Sequence, residues 1–521
     1  MGSACKRHRS DEQEHDLAVS DRPGKRQASE RAMQAEHHGT GIQLVGSGNI
    51  TIRGDANFGA RHNQCLADLR STDPRHDKTR IQDAKGGLLE DSYRWILEHA
   101  YFIQWRDDPL SRLLWIKGDP GKGKTMLLCG IIEELDKKLK SNTEGGNLSF
   151  FFCQATDSRI NNATAVLRGL VFLLVEQQPS LISHIRKMYD HAGKQLFEDA
   201  NAWVALSEIL SDILQNPALQ STYLIIDAVD ECETGLLQLL KFIIQKSSVS
   251  SQVKWIVSSR NWLQIEEQFN TAKQRVRLSL ELNAESVATA VDIYNNYKVD
   301  RLASMKNYKD ATTRAIRDHL SSNANNTFLW VALVCEELEK LMSFETHKAL
   351  RTYLPGLDTL YERMLQQIHS SSSADLYKRV LAVVSVVYRP VTLQELVSLD
   401  ESLQGFSENL PEFEKVITSC GCLLNVREET VHFVHQSAKD FLLKKSDDQL
   451  FPLGLKHEHR AVFLRSLQIL SSTLHRDLYS LQHPGCLIEQ IQPPIPDPLA
   501  TVRYSCIYWA DHLRHRRNAM R

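Results

Sequence analysis

The residues best suited to chemistry lie in one run, Gly118-Asp119-Pro120-Gly121-Lys122-Gly123-Lys124-Thr125, which satisfies the spacing G-x-x-x-x-G-K-[ST] in full. Glycines at this spacing let backbone wrap an anion without Cβ clashes, and loop amides at a helix N-terminus offer it positive potential. Lys124 then reaches the β and γ phosphates of a nucleotide, and the Thr125 hydroxyl meets Mg²⁺. A chance glycine-rich turn is the alternative, and its flanks argue against it. Leu113 to Ile116 predicts a strand before the loop, and Leu128, Ile131, Ile132 and Leu135 recur at helical spacing after it.

A second group closes the same kind of site. The run Tyr223-Leu-Ile-Ile-Asp227-Ala-Val-Asp230-Glu231 is an apolar strand that delivers acids at its carboxyl end, where open α/β sheets place ligand chemistry. Asp227 is the expected Mg²⁺ partner, and Glu231, with Asp230 beside it, the candidate general base for an attacking water. Taken alone, such a cluster is more often a solvated loop, and its pairing with the glycine run upstream turns the reading to function. A third strand ends Ile256-Val257-Ser258-Ser259-Arg260. Its arginine either senses a γ-phosphate or pairs with a carboxylate as an ordinary surface residue.

These residues need a sheet and helices to hold them. At 521 residues the chain is too long for a single core. Lys+Arg 62 against Asp+Glu 64 leaves −2, so no global basic field exists to hold nucleic acid or an anionic membrane. No apolar run approaches the roughly 20 residues a bilayer span requires. The ten cysteines show no metal-cage or disulfide spacing, and the first residues lack a secretory apolar region, which points to the reducing cytoplasm.

Five apolar runs, RLLWIKG, NLSFFFCQ, TYLIIDAVD, VKWIVSSR and QRVRLSL, alternate with helical segments and imply βαβ units in a parallel sheet. Residues 61–283 are therefore read as an α/β nucleotide-binding domain. A helical domain over 284–370 follows. Residues 374–445 predict a winged helix, because the Thr392-Leu-Gln-Glu395 capping box opens a helix and a hairpin turns across Arg427 to Thr430. Residues 446–521 read as a C-terminal helical segment. Ahead of all this, residues 1–40 carry fourteen charges and few large apolar groups, the composition of a disordered tail. Residues 41–60 alternate apolar and polar around Gly46-Ser47-Gly48-Asn49, as a short hairpin does.

Taken in order, STDPRHDKTRIQDAKGGLLEDSYRWIL, GDPGKGKT, LIIDAVDEC, VSSR, NTFLWVALVCEEL, LPGLDTLYERML, VHFVHQSAKDFLL and YSCIYWADHL resemble the NACHT branch of the signal-transduction NTPases. The likeness is to the fungal vegetative-incompatibility and NOD-like receptor type, with a nephrocystin-like start, over roughly residues 62–515. The resemblance implies a switch that holds ADP when closed, exchanges it for ATP with Mg²⁺, and forms homo-oligomers through the nucleotide domain. Hydrolysis, slow at most, resets it. The likeness further implies that His435 touches the bound diphosphate and locks the closed state, whereas its strand parity with Val431 and Phe433 reads equally as a core histidine. It makes Thr72 to Ile81 a candidate lip for adenine. It also likens 41–60 to short amyloid-type signalling motifs, with an edge hairpin as the alternative.

Members of this branch commonly carry a repeat sensor and a folded effector domain, neither of which is visible here. Co-assembly with longer relatives is one role this leaves open. Asn325 and Asn326 stand where related sequences show glycine, and both tolerate positive φ. The rivals are a P-loop kinase or ATPase acting by turnover, and a nucleotide-binding scaffold.

Overall fold

In the computed structural model, residues 58–514 are described, apart from 142–144, 273–274, 372, 419–422, 446–449, 482–490, 492–493 and 496. The expected tail and most of the 41–60 hairpin lie outside the described residues. Phe58, Gly59 and Ala60, assigned above to the hairpin's end, instead open the helix Phe58–Leu69, which buries Cys65 and Leu69.

The five expected strands all form: β1 (Leu113–Lys117), β2 (Asn147–Phe152), β3 (Thr222–Asp227), β4 (Val253–Ser259) and β5 (Arg275–Ser279). They pair in parallel in the order β2-β3-β4-β1-β5. Strands buried on both faces read as unbroken apolar runs, which is why TYLIID and LLWIK carry almost no polar residue. The order sets β3, β4 and β1 side by side. Their carboxyl ends therefore deliver Asp227, Arg260 and the Gly118–Thr125 loop within roughly 10 Å of sheet width.

Beyond the sheet, helices Ala284–Lys306, Asp310–Asn323, Phe328–Lys340 and Leu357–His369 pack without strands. The next unit is built as the capping box predicts. The Glu395 N–H donates to Thr392 Oγ1 at 3.2 Å, and the Thr392 N–H donates to Glu395 Oε2 at 2.9 Å. Helices Leu393–Leu399 and Leu410–Thr418 precede the hairpin of β7 (Leu424–Arg427) and β8 (Thr430–Phe433). Its two turn residues, Glu428 and Glu429, both adopt positive φ, as a two-residue turn matched to strand twist requires. The short β6 (Val391–Thr392), which no pattern announced, pairs with β8 and completes the wing as β6-β8-β7.

Helix Gln436–Lys445 leads out of the wing, and helices Leu455–Thr473 and Arg503–Arg514 pack behind it. Among the described residues no helix is long and apolar enough to cross a membrane.

Candidate nucleotide site

The glycine run turns directly from β1 into the helix Lys124–Ser141. Gly121 and Gly123 have φ of 78° and 84°, and a Cβ on either would lie 2.8 Å from Thr327 Cγ2 or the Phe328 ring. Only glycine meets both demands, which lets the loop pack closely against Thr327 and Phe328. Gly118 anchors the loop to β4 by donating to the Ser259 carbonyl. The Asp119 N–H donates to Glu281 Oε1 at 2.6 Å, and Asn261 Nδ2 holds the Asp119 carboxylate at 2.9 Å. Pro120 stands between these anchored residues and the glycines. Lys122 reaches across to the Asn325 carbonyl at 2.8 Å. Asn325 and Asn326 do adopt positive φ, so the turn survives without glycine.

Lys124 Nζ donates to the carbonyls of Gly118 (2.5 Å) and Asp119 (3.1 Å). Burial lowers its pKa against the opposing pull of Asp230 and Asp227. A cation enclosed this way is starved of counter-charge, a condition an anion relieves. Asp227 accepts from the Ser258 hydroxyl at 2.5 Å, and that hydroxyl in turn accepts from the Ala228 N–H.

Asp230 has both oxygens engaged by Arg260, one by its N–H and one by Nε, each at 3.0 Å. Asp230 thus also holds the Arg260 side chain in place beside Glu231. Glu231 Oε2 accepts from the Ala155 N–H at 3.1 Å. Its side chain is 21% exposed and lines a cavity. Burial, helped by Asp230, raises its pKa from 4.5 to about 7. A carboxylate tuned to neutral pH is suited to take a proton from water.

That cavity measures about 950 Å³ and joins Thr125, Asp227 and Glu231 to His435 and Gln436 beyond the wing. The glycines and Lys124 stand just behind Thr125 and do not themselves line it. Of the proposed adenine lip, Arg80 and Ile81 form part of the wall. Strand β8 ends at Phe433, and His435, two residues on, is half-buried and lines the cavity. Its Nδ1 accepts from the Ser437 N–H (3.1 Å) and lies 2.7 Å from the Ser437 hydroxyl. The neutral ring therefore carries its proton on Nε2. Burial, together with the positive charges of Lys85, Arg260 and Lys124, pushes the His435 pKa well down.

The residues present suit a nucleotide with Mg²⁺. The cradle excludes any Cβ, Arg260 Nη2 is buried with no hydrogen-bond acceptor, and Thr125 and Asp227 supply oxygen donors of the kind Mg²⁺ takes. Sequence reasoning missed Ser258, Glu281, Lys85 and the acid Asp440, which meets Arg260 Nη1 at 2.5 Å from the helix Gln436–Lys445.

A parallel sheet whose first strand turns through this loop into a helix defines a P-loop NTPase. Residues 91–260 match the family described as Nephrocystin 3, N-terminal. The chain belongs to the fungal NACHT-type NTPases: it is 56% identical over 464 residues to the vegetative incompatibility protein HET-E-1 of Podospora anserina. That match covers 86% of this chain and 34% of the relative, so the chain spans about a third of the relative's length. Among solved structures, the Walker-type ATPase PABY2304 of Pyrococcus abyssi is similar over 68% of this chain and 94% of its own, at 12% identity and a TM-score of 0.33. The Aeropyrum pernix ORC1 protein in complex with DNA matches 68% and 92% at 14% identity and 0.27. Likenesses this distant carry no argument about ligand or activity.

Proposed function

We propose that this chain is an ATP- and ADP-binding, Mg²⁺-dependent signalling switch of heterokaryon incompatibility, closed with ADP and opening to homo-oligomers with ATP. One observation carries this reading: the cavity next to the phosphate loop is walled on its far side by the winged helix, through His435. A ligand there touches two separate modules, so exchanging it alters the contact between them. A population shift needs such differential contact, because equal contact in both states shifts nothing.

The residues divide the work. The Gly121 and Gly123 amides and the Lys124 ammonium hold the phosphates, with Arg260 at the edge of the γ position. Thr125 and Asp227 would hold Mg²⁺, which supplies charge neutralisation between the phosphates. Glu231 takes the proton of an attacking water at its carboxylate, supporting slow turnover that resets the switch. His435 offers Nε2–H to a diphosphate while the wing is docked. The setting is cytoplasmic, and co-assembly with longer relatives is a compatible role.

Light-scattering mass of the purified chain, with ADP and then with a non-hydrolysable ATP analogue plus Mg²⁺, tests the switch. The mass should rise severalfold with the analogue. A monomer under both ligands overturns the mechanism and leaves the fold untouched.

A further inference from the structure

Arg260 lies at the tip of β4, 9% exposed, among three carboxylates. Asp230 takes Nε at 3.0 Å, Asp440 takes Nη1 at 2.5 Å, and Glu231 approaches Nη2 at 3.9 Å. Asp230 and Glu231 belong to the same sheet edge as Arg260. Asp440 arrives from the winged-helix side, 180 residues later, on the helix Gln436–Lys445. Its other oxygen accepts from the Gln436 side-chain amide at 3.1 Å, and Gln436 lines the nucleotide cavity.

A guanidinium is a planar fork whose N–H groups point in fixed directions. With Nε committed to Asp230, an incoming anion meets Arg260 along its Nη edge, where Nη2 is already buried without an acceptor. A phosphate oxygen there faces the Asp440 carboxylate as a like charge, in a setting where burial strengthens repulsion.

We infer that Asp440 is a specificity-determining residue: it occupies the Arg260 edge in the wing-docked form and so selects a nucleoside diphosphate over a triphosphate. Binding of the terminal phosphate at Arg260 and docking of Asp440 exclude each other. This rests on reading the cavity as the nucleotide site.

The helix that carries Asp440 is held by other contacts. Lys439 Nζ donates to the Val387 carbonyl at 2.9 Å, Ser437 meets the Tyr361 hydroxyl at 2.9 Å, and Ala438, Phe441 and Leu442 are buried. Removing the Asp440 charge therefore leaves the helix in place.

The test is calorimetric binding of ADP and of a non-hydrolysable ATP analogue, each with Mg²⁺, to the full chain and two variants. Asp440→Asn should shift the affinity ratio toward the triphosphate by about tenfold, the scale of one charge-assisted contact. Arg260→Gln leaves Asp440 unpaired against the terminal phosphate and should shift the ratio the opposite way. An ion pair that merely staples two modules is broken equally by either change, so ratios moving together, or not at all, overturn the inference while nucleotide binding by the parent stands. A parent that binds neither nucleotide overturns the cavity reading and this inference with it. Should Asp440→Asn fail to fold, Asp440→Glu should stay within about twofold of the parent ratio, and a tenfold change sinks the proposal.

Discussion

The two walls of the nucleotide cavity are made differently. On the sheet side the lining groups are Thr125, at the head of the helix that follows the glycine loop, and Asp227 and Glu231 at the carboxyl end of β3. On the wing side they are single side chains, His435 and Gln436, on a segment that reaches the site only through tertiary packing, with Asp440 one turn further on and bonded to Gln436. The first wall is set by local geometry, because the positive φ of Gly121 and Gly123 is needed whatever the ligand. Under the proposed switch, the second wall would exist only while the modules are docked, and such a site would bind with one half and report with the other.

Three substitutions sharpen or break that contrast. The largest effect belongs to the sheet wall: Lys124→Ala should weaken nucleotide binding by about 4 kcal/mol, roughly a thousandfold. Equilibrium dialysis with labelled ADP measures it, and retention of parent affinity would end the assignment.

Next is Glu231. Its folded pKa of about 7 lies above its ordinary 4.5, so its contribution to stability is full below pH 4.5 and is lost as pH rises through 7. Urea unfolding of the parent and of Glu231→Gln at pH 5 to 8 should show the parent losing about 3 kcal/mol relative to the variant. A difference that stays flat with pH would place Glu231 in ordinary solvent.

Smallest is Thr392→Ala on the wing side. It removes a capping bond and should cost about 1 kcal/mol of stability. Affinity for nucleotide should be unchanged within error, and a tenfold loss would mean that the two walls are not separable.

The chain spells out the first wall almost completely. All five strands, the loop and the acids at the end of β3 follow from apolar runs and turn residues, since buried parallel strands leave a continuous signature. The capping box and the two-residue turn at Glu428 and Glu429 are equally local and equally legible. Asp440 was not legible, because its partner is 180 residues away and one acid on a short helix has no periodicity to betray it. Glu281 and Ser258 escaped for a related reason: their partners are a backbone N–H and a buried carboxylate, which no pattern encodes. His435 shows the opposite fault, in that strand alternation was carried past the end of β8 to a residue that lines the cavity.

One further tie joins the glycine loop to the helical module: the Lys122 ammonium donates to the Asn325 carbonyl just ahead of the helix Phe328–Lys340, and the Leu329 N–H in that helix's first turn donates to the Gly121 carbonyl. A ligand that shifted this loop would therefore act on that helix's leading end directly.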